Sequence, residues 1–95
     1  MSYALVLSDN ATQGLRQLEV WLAEETLDEL EALADVPERL DNSASATSVF
    51  DFTRQRGEFT HYIFLVLRVD KIAKVLQVQA IGHYARPTGD HSIEI

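Results

Sequence analysis

The stretch QAIGHYARP, residues 79–87, places His83, Tyr84 and Arg86 side by side at the end of an apolar run. An imidazole can carry protons near neutral pH. A guanidinium close by can steady a developing negative charge. The three are therefore the candidate catalytic residues; the plainer alternative is a polar strand terminus. Arg54 and Arg56 flank a turn signal at residues 56–57 and form the densest basic pair in the chain. Their planar, multi-donor groups suit phosphate or another anionic target, with Tyr62 beside them. They equally suit a solvated turn that keeps a sheet edge soluble. Arg68, Lys71 and Lys74 surround a second turn with the same two readings.

Two further histidines are weaker candidates. His61 lies inside an apolar run and is expected to face the core with its nitrogens satisfied. His91, beside Asp90, lies in a tail expected to be loose. His61 and His83 are expected on opposite sheet faces, which would keep them from sharing a metal; no metal site and no cofactor are expected. Glycine-rich phosphate loops, Gly-x-Ser-x-Gly elbows and His-Glu-x-x-His pairs are absent from the sequence.

The elements that must position these residues can be read from periodicity. YALVL, residues 3–7, is a short strand. Ser8 or Asp9 can cap the helix after it. Ala11, Leu15, Leu18 and Leu22, extended by Trp21, form one buried stripe, with Gly14 kept for close packing. Thr26 followed by Glu29 has capping-box spacing, so a second helix is expected through Leu27, Leu30, Leu33 and Ala34, ending at Val36-Pro37. Residues 41–48 are small and polar, a loop. Three strands follow in SVFDFTRQ, FTHYIFLVLRVD and KVLQVQAIGHYA, with tight turns at Arg56-Gly57 and at Asp70 to Ala73.

The fold class is thus α+β, in the order β-α-α-β-β-β, with two N-terminal helices packed on one face of a mainly antiparallel sheet. With those turns, alternation sends Phe50, Phe52, His61, Ile63, Leu65, Leu67, Leu76, Val78 and Ala80 toward the helices. Asp51, Thr60, Tyr62 and His83 gather on the opposite, open face. There Phe64, Val66 and Ile81 form an apolar cluster suited to a protein partner or a self-dimer. Tyr84 and Arg86 are expected to point the other way.

The chain has 95 residues and a net charge of −7. One domain is expected over residues 1–95, with the tail 87–95 loose. Residues 1–47 hold ten acidic and two basic groups, a balance of −8; residues 48–95 hold five and six, a balance of +1. An acidic helix surface weighs against polyanion binding there. Cysteine is absent, and neither an export signal nor a membrane-length apolar run is visible. A cytoplasmic location is expected.

LSDNATQGLRQLEVWL (7–22) resembles the first strand-to-helix passage of the RelE/ParE toxin superfamily. LADVPERL (33–40) is similar to the end of its second helix. HYIFLVLRVDKIAKVLQVQAIGHYAR (61–86) resembles its closing hairpin, with Ile81 and His83 at the family's Ile-x-His. Tyr84 stands where the family commonly has Arg, and Arg86 follows two places on. The resemblance covers roughly residues 3–86. It implies a toxin-like component of a toxin–antitoxin module, acting by mRNA cleavage or by gyrase inhibition, with an antitoxin-like partner. RelE-like endoribonuclease activity would use His83, Tyr84 and Arg86. The alternative is a non-catalytic interaction module or self-dimerising relative on the same fold.

Overall fold

The computed structural model describes residues 2–36 and 47–88. Pro37, most of the expected 41–48 loop, His91 and the rest of the tail from residue 89 lie outside the described residues. The elements are β1 (Ala4–Leu7), α1 (Asp9–Arg16), α2 (Val20–Asp35), β2 (Thr47–Arg56), β3 (Phe59–Asp70) and β4 (Val75–Pro87). The expected α+β order is present. The strands form one sheet in the order β1-β4-β3-β2. β1 runs parallel to β4, and the other two pairings are antiparallel.

Ser8 caps α1: its hydroxyl oxygen accepts from the Ala11 amide at 3.0 Å, satisfying one orphan donor of the first turn. The helices divide elsewhere than expected. α1 ends at Arg16, Leu18 is buried in the corner, and Glu19 begins a single long α2. Thr26 is no cap. It is fully buried in mid-helix, and its hydroxyl donates to the Leu22 carbonyl at 2.8 Å. Bonding back to residue i−4 satisfies the same hydroxyl that a cap would use, so the Thr-x-x-Glu spacing does not distinguish the two. α2 ends before Val36, which leaves the helical region as a residue preceding proline tends to.

Both helices pack on one sheet face. Leu22, Leu30, Leu33, Ile63, Leu65 and Leu76 are fully buried between the layers, each worth about 1.5–3 kcal/mol over the exposed state. Gly14 lets α1 approach β4: a Cβ there would run into the Ile81 carbonyl.

The β2–β3 turn is Gly57-Glu58, not Arg56-Gly57; Arg56 pairs with Phe59, and Gly57 takes φ +62°, where a side chain would be strained. The register therefore moves by two, pairing Asp51 with Phe64 and Thr53 with Tyr62 rather than Asp51 with Tyr62. A shift of two preserves every face. On β4 it does not end there. Val75 pairs with Asp70 and Val78 with Leu67, but Ala80 pairs with Val66, leaving Gln79 as an extra residue in a β-bulge. Beyond Gln79 every side chain changes sides. Ile81 is buried toward the helices rather than lying on the open face, Ala80 and Gly82 pass to the open side, and His83 turns inward.

The bulge is held from outside its own hairpin. The Ser8 amide donates to the Val78 carbonyl at 2.9 Å, and its hydroxyl donates to the Gln79 carbonyl at 2.8 Å. One residue thus caps α1 and fixes where β4 slips.

Candidate functional site at the open end of the sheet

The end of β2, the start of β3 and the end of β4 meet at one end of the sheet, beside the α1–α2 corner. Arg54, Arg56, His61, His83 and Arg86 gather there, but on two faces, while Arg68, Lys71 and Lys74 lie at the opposite end of the sheet.

On the helix side, Ile63 pairs with His83 and His61 with Ala85, so both imidazoles project toward the helices one step apart. His61 Nδ1 and His83 Nε2 are 3.0 Å apart. The expected separation of the two histidines on opposite faces is overturned, and Gln79 is the reason. The ring planes lie within 14° and the centroids 5.3 Å apart. Rings stacked at van der Waals distance, roughly 3.5 Å, could not bring two nitrogens this close. The rings instead meet edge to edge through one N–H···N hydrogen bond, one nitrogen donating and the other accepting.

His61 is 8% exposed, with Trp21 packed edge-on at 5.2 Å and 81°; His83 is solvent-exposed. Loss of water on its inner side lowers the His83 pKa below the ordinary 6.5, neighbouring His61 lowers it further, and Glu19 acts against both. A cleft of about 350 Å³ adjoins the pair, lined by Glu19, Trp21, Arg56, Phe59 and His61. The Arg56 guanidinium lies over the Trp21 ring, 4.6 Å from its centroid, a cation–π contact that keeps the charge near the cleft.

Arg54 is committed elsewhere. Its Nε donates to Glu25 at 2.6 Å and its Nη2 to Glu29 at 2.8 Å, which raises its pKa and ties β2 to α2. Both carboxylates already occupy the guanidinium, so the anion-binding part expected of Arg54 is better suited to Arg56.

On the open side, Tyr62 and Tyr84 are cross-strand partners with rings 4.8 Å apart and 13° from parallel. Phe64 lies against Tyr84 at 6.4 Å and across Gly82, where any Cβ would meet its ring. The Arg86 guanidinium is 5.6 Å from the Tyr84 centroid. Tyr84 and Arg86 thus occupy the open face, and His83 the helix side, the reverse of the expected arrangement. Asp51, Thr53, Tyr62, Phe64 and Tyr84 line a depression of about 260 Å³. Val66 shares this face, while Ile81 is lost from it to the core. His61 was the residue that sequence reasoning undervalued; only the bulge brings it to His83.

Among the described residues no group of three or more His, Cys, Asp or Glu side chains could hold a metal ion, and no helix is long and apolar enough to cross a membrane.

No family model matches the sequence, and no curated protein matches it. Solved structures do match. A double arginine-to-alanine mutant of the Escherichia coli toxin RelE, in the free state, superposes with a TM-score of 0.67 at 19% identity, covering 86% of this chain and 83% of that one. The RelBE2 toxin–antitoxin complex of Mycobacterium tuberculosis gives 0.62 at 17%, covering 88% and 93%. The archaeal RelE–RelB complex from Pyrococcus horikoshii gives 0.55 at 17%, covering 94% and 98%. The chain has the fold of the RelE toxins.

Proposed function

We propose that this RelE-fold chain is a divergent toxin-like component of a toxin–antitoxin module. The observation that carries the reading is the agreement with RelE over 86% of the chain at a TM-score of 0.67. The matching structures include a toxin–antitoxin complex and a RelE–RelB complex, and an antitoxin-like protein is the partner proposed here. Its docking surface is the open face around Tyr62, Phe64, Val66 and Tyr84. That face is aromatic, while the acidic residues crowd α2, so the partner meets apolar surface there and would find a complementary charge along the helix if basic.

The reaction proposed is cleavage of RNA rather than inhibition of gyrase. Support comes from the sheet end, where a cleft lined by His61 and by Arg56, which has no acidic hydrogen-bond partner among the described residues, adjoins His83. RNA cleavage needs a proton acceptor and a positive group near the phosphate, and His83 and Arg56 have those properties. The cytoplasm is the proposed compartment.

The test is induced expression of the full chain in a bacterial host. Growth arrest is expected, with incorporation of labelled amino acids falling before that of thymidine. Early loss of thymidine incorporation would favour gyrase instead. Unimpaired growth with soluble, folded protein would remove the toxin-like reading.

A second reading, a non-catalytic interaction module or homodimer, is favoured by one observation. Phe64 and Tyr84 stay 40% and 47% exposed although large and aromatic, as a protein interface would leave them. Sedimentation at several concentrations decides it: a strict monomer, with RNA cleavage intact, excludes this alternative.

A further inference from the structure

The reading above gives His83 a part on the helix side of the sheet, and nothing in it assigns His61 a task. We propose that His61 and His83 work as one acid–base unit, in which His83 meets the substrate and His61 is the positioning residue that sets its tautomer. This rests on the RNA-cleavage reading above.

Three features of the geometry point this way. The near-coplanar bond of 3.0 Å aims one nitrogen of each ring at the other, so each ring dictates which nitrogen of its neighbour carries hydrogen. The Trp21 edge and burial confine His61, whereas His83 is exposed and keeps Nδ1 outside the pair. A base oriented by a second, fixed group is the arrangement that activated sites use. The cleft that His61 lines, next to His83 across the 3.0 Å bond, then supplies what an RNA phosphodiester requires. Arg56 provides positive charge for the phosphate, and exposed Phe59 provides an apolar rim on which a base can rest.

When His83 Nε2–H donates to His61 Nδ1, the His83 Nδ1 lone pair is free. It takes the proton of a ribose 2′-hydroxyl, and that oxygen attacks the adjacent phosphorus. The bond from phosphorus to the 5′-oxygen breaks, and the departing oxygen takes a proton from water. The products are a 2′,3′-cyclic phosphate and a 5′-hydroxyl end. His83, now an imidazolium still donating to His61, returns its proton to solvent. The charged groups around the pair are Glu19 at the start of α2 and Arg56 on β2, with Arg54 already neutralised by Glu25 and Glu29 of α2.

The test uses the purified full chain with a labelled single-stranded RNA oligonucleotide and its all-2′-deoxy counterpart. Cleavage of RNA alone, leaving a cyclic phosphate, is expected. His83→Ala should lose about 100-fold or more, in the range of general-base loss. His61→Phe keeps the ring volume without the nitrogen and should lose at least about tenfold; His61→Asn, whose amide can stand in for Nδ1, should restore most of the rate. His61→Asn should also move the acid limb of the pH–rate profile upward, because the neighbouring imidazole no longer depresses His83. A merely structural His61 would tolerate the isosteric Phe at least as well as Asn, so the contrast between the two variants separates positioning from packing. Folded variants that cleave as fast as wild type, or cleavage of the deoxy strand, would overturn the proposal. So would absence of RNA cleavage by wild type, and growth arrest persisting in that case would leave the toxin-like reading standing without it.

Discussion

At the residue scale, His83 shows how a neighbour changes the chemistry available to a side chain. Partial burial and His61 hold its folded-state pKa below 6.5. The unfolded chain therefore binds more protons between the two values, and unfolding free energy rises with pH across that window. The stability contributed by neutral His83 is fully present above about 6.5 and is lost as pH falls through the depressed folded value. Denaturant melts between pH 7.5 and 5 should show this decline in wild type and a smaller one in His83→Gln. Equal slopes in the two proteins would show that another group governs the acid side. NMR titration should place the His83 midpoint below 6.5, with His61→Asn raising it.

At the element scale, Ser8 has more consequence than its position in a short connection suggests. It caps α1 and holds the Val78 and Gln79 carbonyls. Ser8→Ala removes the cap and one bond to the bulge, and should cost about 1–2 kcal/mol. The same substitution should also loosen the His61–His83 contact, because the strand from Ala80 to Pro87 takes its faces from the slip at Gln79. A Ser8→Ala protein that is destabilised yet keeps the His83 titration of wild type would show that the bulge holds itself. Gly14 offers a second check. Alanine is the better helix former by about 1 kcal/mol, but its Cβ would strike the Ile81 carbonyl, which is backbone and cannot swing aside. Gly14→Ala should therefore destabilise by about 1–3 kcal/mol, the usual range for overpacking, as thermal melts would show.

At the scale of the whole molecule, charge and chemistry are segregated. Acidic residues lie along α2, aromatic residues on the open face, and the imidazoles between the layers at one end. Arg54 is the link across the layers, bridging edge strand β2 to Glu25 and Glu29. Its side chain is 32% exposed, so water screens the pairs, and Arg54→Met should cost only about 1 kcal/mol, less in high salt. In a domain of this size that is a fall of roughly 4–8 °C in Tm. A larger, salt-independent loss would mean that Arg54 also contributes through its guanidinium over the Phe52 ring, 4.8 Å from the centroid.

The elements themselves were legible in the chain because the signals that make them are local. Apolar spacing of three and four residues marked Leu15, Leu18 and Leu22 as core-facing, though not the break after Arg16 that divides them between α1, the corner and α2, and alternation built β2 and β3 with every face as expected. The capping-box spacing at Thr26 misled, since a hydroxyl bonding back to Leu22 and one capping a helix leave the same residues in the sequence. The site was only half legible. His83, Tyr84, Arg86 and Arg56 were singled out by type, and all lie at the same end of the sheet. Which of them face one another depended on Gln79, and nothing in the alternation of β4 marks that residue as extra. The bulge is held by Ser8, 71 residues away in sequence, through bonds that exist only once β1 and α1 have docked on β4. Period-two patterning carries a strand's faces forward until something outside the strand shifts it. That is why composition and spacing determined the fold, while tertiary hydrogen bonding decided that His61 and His83 would meet.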